Sequence, residues 1–587
     1  MSNMIKKTLA VTVFLCAALS AATLEENFND FLHYTAIGRY EIAASYADRI
    51  IASNPDPVEM LELSQANERG YSILLKLYNE NEQLKDAASE ILDIIENGRF
   101  IKRTDPEIIN AEIRRLSTTI RGRIAAEQRL KNSGEFAVPY MLSAIADESR
   151  KSEMPYISAA LGKMGRDAVR PLCAALQMDN IAVKEEAIRA LGSIGYPEAL
   201  PHLRFVVENE EHAELVELAR KNIEKLSPQA TTIPAAKLFY DLAVKYYYHA
   251  ESLNANADFS FANVWFWDAT QKMLRREKVD RGYFYELMTM RNCEWSLKAN
   301  PDTGEAIALW LDAYFEIERT EIALPEYFGA GHADAMTYAV TAGPEYLHQA
   351  LARSIKDKNS YITLNLVEAL AKNSGEASLL QSYGASQPLV SALEYDSPAV
   401  QLSAAIALGG SKPARAFVGS TLIIDRLNSA ITRELADQLG DDLAYDYANR
   451  AFVVLKTLAV SNNKVVDIAG ARDALIKVIT GDDDDMRISA AQVLAYLGSE
   501  DSQRAIADVA LSNDFNIDVR ITVFASLIES AKINSNKLTD KQIDTLYQLT
   551  AARDIEPELR EAAASAYGSL NLPSRKVKTL ILDQARS

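Results

Sequence analysis

The chain has 587 residues, 48% of them hydrophobic, and a formal net charge of −19. That length suits several domains or one long repeat array, and the composition is that of a folded protein. The acidic balance argues against a broad nucleic-acid footprint, which needs clustered Lys and Arg, and against holding anionic lipid through charge alone.

The N-terminus is different in kind from the rest. Lys6 and Lys7 precede an apolar run from Thr8 to Leu19, and Ser20-Ala21-Ala22 offers the small residues that a signal peptidase reads. Residues 1–22 therefore read as a signal peptide cleaved after Ala22, with an apolar run too short for a membrane span. Cys16 does not make a lipobox, because Leu15 stands where a small residue is needed. The mature protein is expected to be exported, periplasmic or secreted, with no stable membrane insertion after cleavage. Two cysteines remain, Cys173 and Cys293, and both fall among apolar helical positions. They read as buried free thiols, since two distant cysteines do not make a disulfide framework.

Residues 23–134 read as an N-terminal helical region. Gly38 permits a tight turn between two helices, Tyr40, Ala43, Ala44, Ala47 and Ile50 form the stripe expected to be buried, and Asn54-Pro55 closes the pair. The Arg-rich segment from Arg103 to Arg129 reads as a solvated face. From 135 to 227 the pattern becomes a repeat. Val183, Ala187, Leu191, Ile194 and Gly195 recur as Met486, Ala490, Leu494, Leu497 and Gly498, and again as Leu215, Ala219, Ile223, Leu226 and Ser227. The same spacing returns at Ile362, Leu366, Leu370; Val400, Ala404, Leu408; Val519, Val523, Leu527; and Leu559, Ala563, Tyr567. Steps of four and three keep these residues on one stripe of a helix, and one helix cannot bury that stripe alone, so copies must stack. Gly165 and Gly195 close successive units, and Pro171 and Pro201 fall in the first turns of equivalent helices.

Residues 228–344 read as an aromatic-rich helical region holding all four tryptophans, Trp265, Trp267, Trp295 and Trp310. Repeats resume over 345–435 and again over 446–587, with Asp437 to Asp442 as the expected linker. The fold class is thus all-α, an α-solenoid of stacked antiparallel helix pairs.

Two resemblances follow from these residues. Gly38, the aromatic Tyr40, the alanine face and the closing proline resemble a tetratricopeptide repeat, as does the helix, Asn300-Pro301 turn and helix over Met288 to Glu318. The apolar stripe, with an acidic turn before a basic residue, resembles HEAT repeats of the short bacterial type associated with phycobilin lyases. The pairs are Asp179 with Lys184, Asp482 with Arg487, Asp514 with Arg520 and Asp554 with Arg560. The resemblance implies that these form a structural ladder along the stacked turns, broken where Gln401 follows Asp396. It implies fold and says little of function.

No chemical motif stands out. The six histidines make no His-Glu-x-x-His, and there is no His-Glu dipeptide of the kind a HEAT-type hydroxylase uses to bind iron. Asp482 to Asp485 lacks the alternation and central glycine of a calcium loop and reads as a solvated turn opening a helix. No catalytic residue, metal or cofactor is assigned. The first reading is a non-catalytic scaffold binding one or more proteins, with Glu185, Arg189, Gln492 and Thr522 as candidate partner-surface positions. The alternative is glycan or other ligand binding through Trp265, Trp267, Trp295 and Trp310. A bilin-lyase-like enzyme or enzyme subunit ranks lower, because both remaining cysteines read as buried and export fits it poorly.

Overall fold

The structure, a computed structural model, describes residues 23–573 apart from 68, 258, 330 and 553, together with 578 and 582. The signal segment and Cys16 lie outside these residues. The chain divides into two compact units, one running up to Thr232 with Trp265–Arg276, the other comprising Ile233–Val264 and Glu277 onward.

The first unit opens on the helix pair Leu24–Ala36 and Tyr40–Ala52, joined at Gly38, whose φ of 72° favours glycine. Ala43, Ala47 and Ile50 are buried as their spacing requires, whereas Tyr40, in the helix's first turn, is exposed and Ala44 is half-buried. The pair shares a core with the helices Pro57–Ala66, Gly70–Glu80 and Lys85–Thr104 through Phe28, Phe31, Met60, Leu74 and Ile91. Each such side chain contributes about 1.5–3 kcal/mol by leaving water. Gly98 sets how closely two of these helices approach, since a Cβ there would lie 2.0 Å from the Pro57 carbonyl oxygen.

Repeats follow. Val169–Ala175 packs on Ile181–Ile194, Leu200–Asn209 on Ala213–Leu226, and the second helices of both pairs pack on each other. Asn180 caps the first of these second helices by accepting from the Val183 amide at 3.2 Å. Gly195 ends it in the left-handed conformation, with φ 84° and ψ 19°. Gly165 also has positive φ but pairs it with ψ −165°, leading into a short 3₁₀ turn rather than a left-handed cap.

In the second unit the helices Ser360–Asn373, Pro398–Gly410, Asp441–Val460, Asp484–Leu494, Ile517–Asn534 and Pro557–Ser569 pack successively on one another. The recurring first three stripe positions are buried in every copy named above. Ala436–Leu439 and Asp441–Val460 are helical on either side of Gly440, within the stretch expected to be a linker. Among the described residues no helix is long and apolar enough to cross a membrane. Cys173 and Cys293 are both buried and unbonded.

The expectation of a wholly helical middle region needs correction. β1 (Phe261–Asp268) and β2 (Met273–Asp280) pair in a two-stranded sheet, antiparallel because so short a connection allows nothing else. The Asp268 carboxylate shapes the turn by accepting from the Thr270 and Gln271 amides at 2.9 Å each. Val264-Trp265-Phe266-Trp267 is a β-branched and aromatic run, which suits a pleated surface better than a helix.

The Asp-to-base ladder is corrected as well. Lys184 reaches Glu210 of the following unit at 2.5 Å rather than Asp179. Arg487 pairs with Asp484 and donates to the Gly481 carbonyl. Arg520 donates to the Ala510 carbonyl at 3.1 Å and to Asn513 at 2.9 Å, and Arg560 reaches the Ala552 carbonyl at 3.4 Å. In the last three, the second helix sends a base back to carbonyls around the end of the first, which the helix itself leaves without partners. Gln401 does not interrupt this scheme, because its amide donates to the Tyr395 carbonyl at 2.5 Å.

Candidate functional site

The four tryptophans occupy distinct settings. Trp265 is buried, and its indole N–H donates to Glu135 Oε2 at 2.6 Å. Beside it the Arg276 guanidinium lies 4.9 Å from the Phe136 ring centre and 5.7 Å from that of Phe100. A cavity of 260 Å³ opens here, with Phe136, Tyr140, Met178, Trp265 and Met273 in its wall. Trp267, two residues along the same strand face, is half-buried. In the second unit Trp295 stacks on Phe239 at 5.6 Å, with the Lys298 ammonium over it at 4.4 Å. Trp310 donates to Glu294 at 3.1 Å and meets Tyr314 and Tyr338 edge-on.

The candidate partner-surface residues are placed as follows. On Ile181–Ile194, Arg189 pairs with Glu185 one turn back and lies 3.7 Å from Glu186. On Asp484–Leu494, Gln492 accepts from Lys456 of the neighbouring helix at 2.8 Å. The Thr522 hydroxyl turns to its own helix, donating to the Asp518 carbonyl at 2.9 Å. Gln492 and Thr522 stand on second helices that pack together, so the repeat brings them to adjacent rows.

A buried polar cluster in the second unit was not anticipated. Asp312, wholly inaccessible to solvent, accepts from Arg353 at 3.1 Å, and Arg353 also donates to the Tyr240 hydroxyl at 3.0 Å. These groups come from the helices Ala235–Tyr247, Gly304–Arg319 and Pro344–Lys356, so one guanidinium ties three helices together. Burial pushes the Asp312 carboxyl up to about 8, against the opposing pull of Arg353. Tyr248 donates to Asp357 at 3.0 Å, and burial with that bond lifts its hydroxyl to about 12. The neighbouring His249 lies 2.7 Å from buried Glu286 and stacks on Tyr285 at 4.3 Å. The hydrogen bond to Glu286 raises the imidazole above its usual value.

The first unit holds a larger cleft, of 620 Å³, between the helices Pro57–Ala66, Lys85–Thr104, Pro106–Arg115 and Ile120–Ser133. Arg99, Lys102, Arg103 and Arg129 give its wall a basic character, and Leu61, Ile108, Ile109 and Leu130 supply apolar surface. Among the described lining residues the one carboxylate is that of Glu112, which is 6% exposed. Glu112 accepts from Arg115 at 3.0 Å and from Arg129 at 2.5 Å. Higher on the wall Lys102 reaches Glu62 at 2.8 Å, and Arg99 reaches Glu96 at 2.9 Å while lying over the Tyr71 ring at 4.4 Å. The reading of Arg103 to Arg129 as a solvated face is thus incomplete, since both of its end residues border a concavity. The signal available in the sequence was local charge reversal. From Arg99 to Lys131 there are nine Lys and Arg against four Asp and Glu, in a chain of the opposite sign.

No curated protein matches the chain. Among solved structures it is similar to UNC-45 from Drosophila melanogaster at 15% identity, covering 93% of this chain and 78% of that one with a TM-score of 0.30. It is similar to importin beta at 14% identity, covering 93% and 71% with a TM-score of 0.27. An engineered protein aligns at 15% identity, covering 79% and 99% with a TM-score of 0.29. Scores this low carry no argument about function. Residues 138–224 match the family model for HEAT repeats. That match falls on the stacked pairs ending at Ala213–Leu226, and over these residues the chain folds as HEAT repeats.

Proposed function

We propose that the chain is an exported, non-catalytic scaffold whose stacked second helices bind a protein partner. The observation that supports this most directly is the outward face of Asp441–Val460. Val453 and Val460, two turns apart and therefore on one side of the helix, are 68% and 58% exposed. Lys456 lies between them and is held by Gln492 from the next second helix, so the apolar pair sits on a row fixed by its neighbours. Apolar anchors beside polar groups on a rigid surface are what a specific protein interface uses. The test is a pull-down from the native envelope fraction with the wild-type chain and a Val453→Asp, Val460→Asp variant. A stoichiometric partner captured by the wild type and lost by the folded variant is expected. Equal capture by both, or capture of carbohydrate without polypeptide, would overturn the reading.

A second reading, glycan or other ligand binding, draws on the cavity bordered by Trp265. A glycan array in which binding disappears with Trp265→Ala would favour it, and an array without hits would remove it.

A further inference from the structure

We propose that the cleft of the first unit binds an acidic peptide segment of a partner, with aliphatic side chains between its carboxylates. This rests on the scaffold reading and names one site and one partner chemistry for it.

The argument begins at Glu112. A carboxylate this deeply buried needs partners, and Arg115 and Arg129 supply them at 3.0 and 2.5 Å. Two guanidiniums on one carboxylate leave a net positive centre beside the cleft. Arg129 spends one nitrogen on Glu112, and its side chain is 57% exposed, so its remaining N–H groups are available to a second carboxylate. Lys102 and Arg99 pair with Glu62 and Glu96 in ion pairs at the solvent boundary, which are worth about 0–1 kcal/mol and exchange readily for a ligand carboxylate. Between these cations Leu61, Ile108, Ile109 and Leu130 offer apolar contact, with Ile108 still 40% exposed. Alternating cations and apolar surface match a segment that alternates carboxylates and aliphatic groups.

The remainder of the chain argues for a peptide over a nucleic acid. An extended polyanion would meet a protein of net charge −19, whereas a short acidic segment meets only the local reversal. A cleft of 620 Å³ is of the size that encloses a small ligand or a few side chains.

The test uses a fluorescein-labelled, end-capped peptide of alternating glutamate and leucine, titrated with the full chain and read by fluorescence anisotropy. Saturable binding that weakens as salt is raised is expected, with at least about tenfold loss in Lys102→Glu, Arg129→Glu. Lys477→Glu, on the helix Arg472–Ile479 of the second unit, is expected to bind as the wild type does. Circular dichroism establishes that each variant is folded, and Lys102→Gln, Arg129→Gln serves if charge reversal disrupts folding. Undiminished binding by both folded cleft variants, or no binding at about millimolar protein, would overturn the proposal. Displacement by inorganic phosphate as effective as by unlabelled peptide would also overturn it, and would assign the cleft to a free anion. If the peptide fails while partner capture through Val453 and Val460 persists, only the cleft proposal falls. If capture also fails, the scaffold reading falls with it.

Discussion

Two side chains of the second unit, His249 beside Glu286 and the buried Asp312, tie its stability to pH. Glu286 holds His249 at 2.7 Å and raises the imidazole, so this contact is fully present below the ordinary histidine value near 6.5 and is lost as pH rises through the raised one. NMR of histidine-labelled protein should place the His249 midpoint above 6.5, and Glu286→Gln should lower it. Asp312 behaves with the same sign for a different reason. Its folded value of about 8 exceeds that of the unfolded chain, so the folded state retains a proton that the unfolded state has released. Its contribution is complete below about 4 and disappears as pH climbs through about 8. The wild-type melting temperature should therefore fall relative to that of Asp312→Asn between about pH 5 and about pH 8. A constant difference across that window would show that Asp312 stays ionised beside Arg353. Neither pair was legible in the sequence. Asp312 and Arg353 stand 41 residues apart, on helices whose neighbourhood no local spacing reveals.

At the scale of the element, periodicity carried most of the information. Val183, Ala187 and Leu191, with their later counterparts, had to be buried because these three positions of the stripe fall on one face, and they are. The partners of the bases were harder to foresee, because Asp514 and Arg520 sit close in sequence while the helix end just before Asp514 offers a carbonyl that attracts the same guanidinium. Arg520 is almost wholly buried and makes two bonds, whereas Arg560 makes one long bond from a half-exposed position. Arg520→Met should therefore lower the melting temperature more than Arg560→Met, the former costing about 1–3 kcal/mol for the carbonyl and amide left without a donor. Differential scanning fluorimetry of the two variants checks this. Aromatic density of the kind around Trp265 and Trp267 does not by itself distinguish a hairpin from packed helices. The β-branched and aromatic run Val264 to Trp267 and the Asp268 turn were the available clues.

At the scale of the whole molecule, net charge described the average and concealed the exception. A balance of −19 is compatible with a basic cleft because nine cations are concentrated within one short stretch of the first unit. The export reading also belongs at this scale. Protein recovered from the envelope should yield Thr23 as its first residue on N-terminal sequencing, and an intact Met1 would count against a cleaved signal. The start of the first helix bears on what such processing would do. Thr23 accepts from the Glu26 amide at 3.2 Å, and its own backbone N–H donates to Glu26 Oε2 at 2.8 Å. Cleavage after Ala22 would turn that donor from a peptide amide into an ammonium group, leaving its position unchanged while adding a full charge. A neutral cap would become a charge-assisted one, with Glu25 and Glu26 offsetting the new charge at the positive end of the helix dipole. Maturation would then tighten the first turn of the fold, and the precursor would be the less firmly started of the two forms.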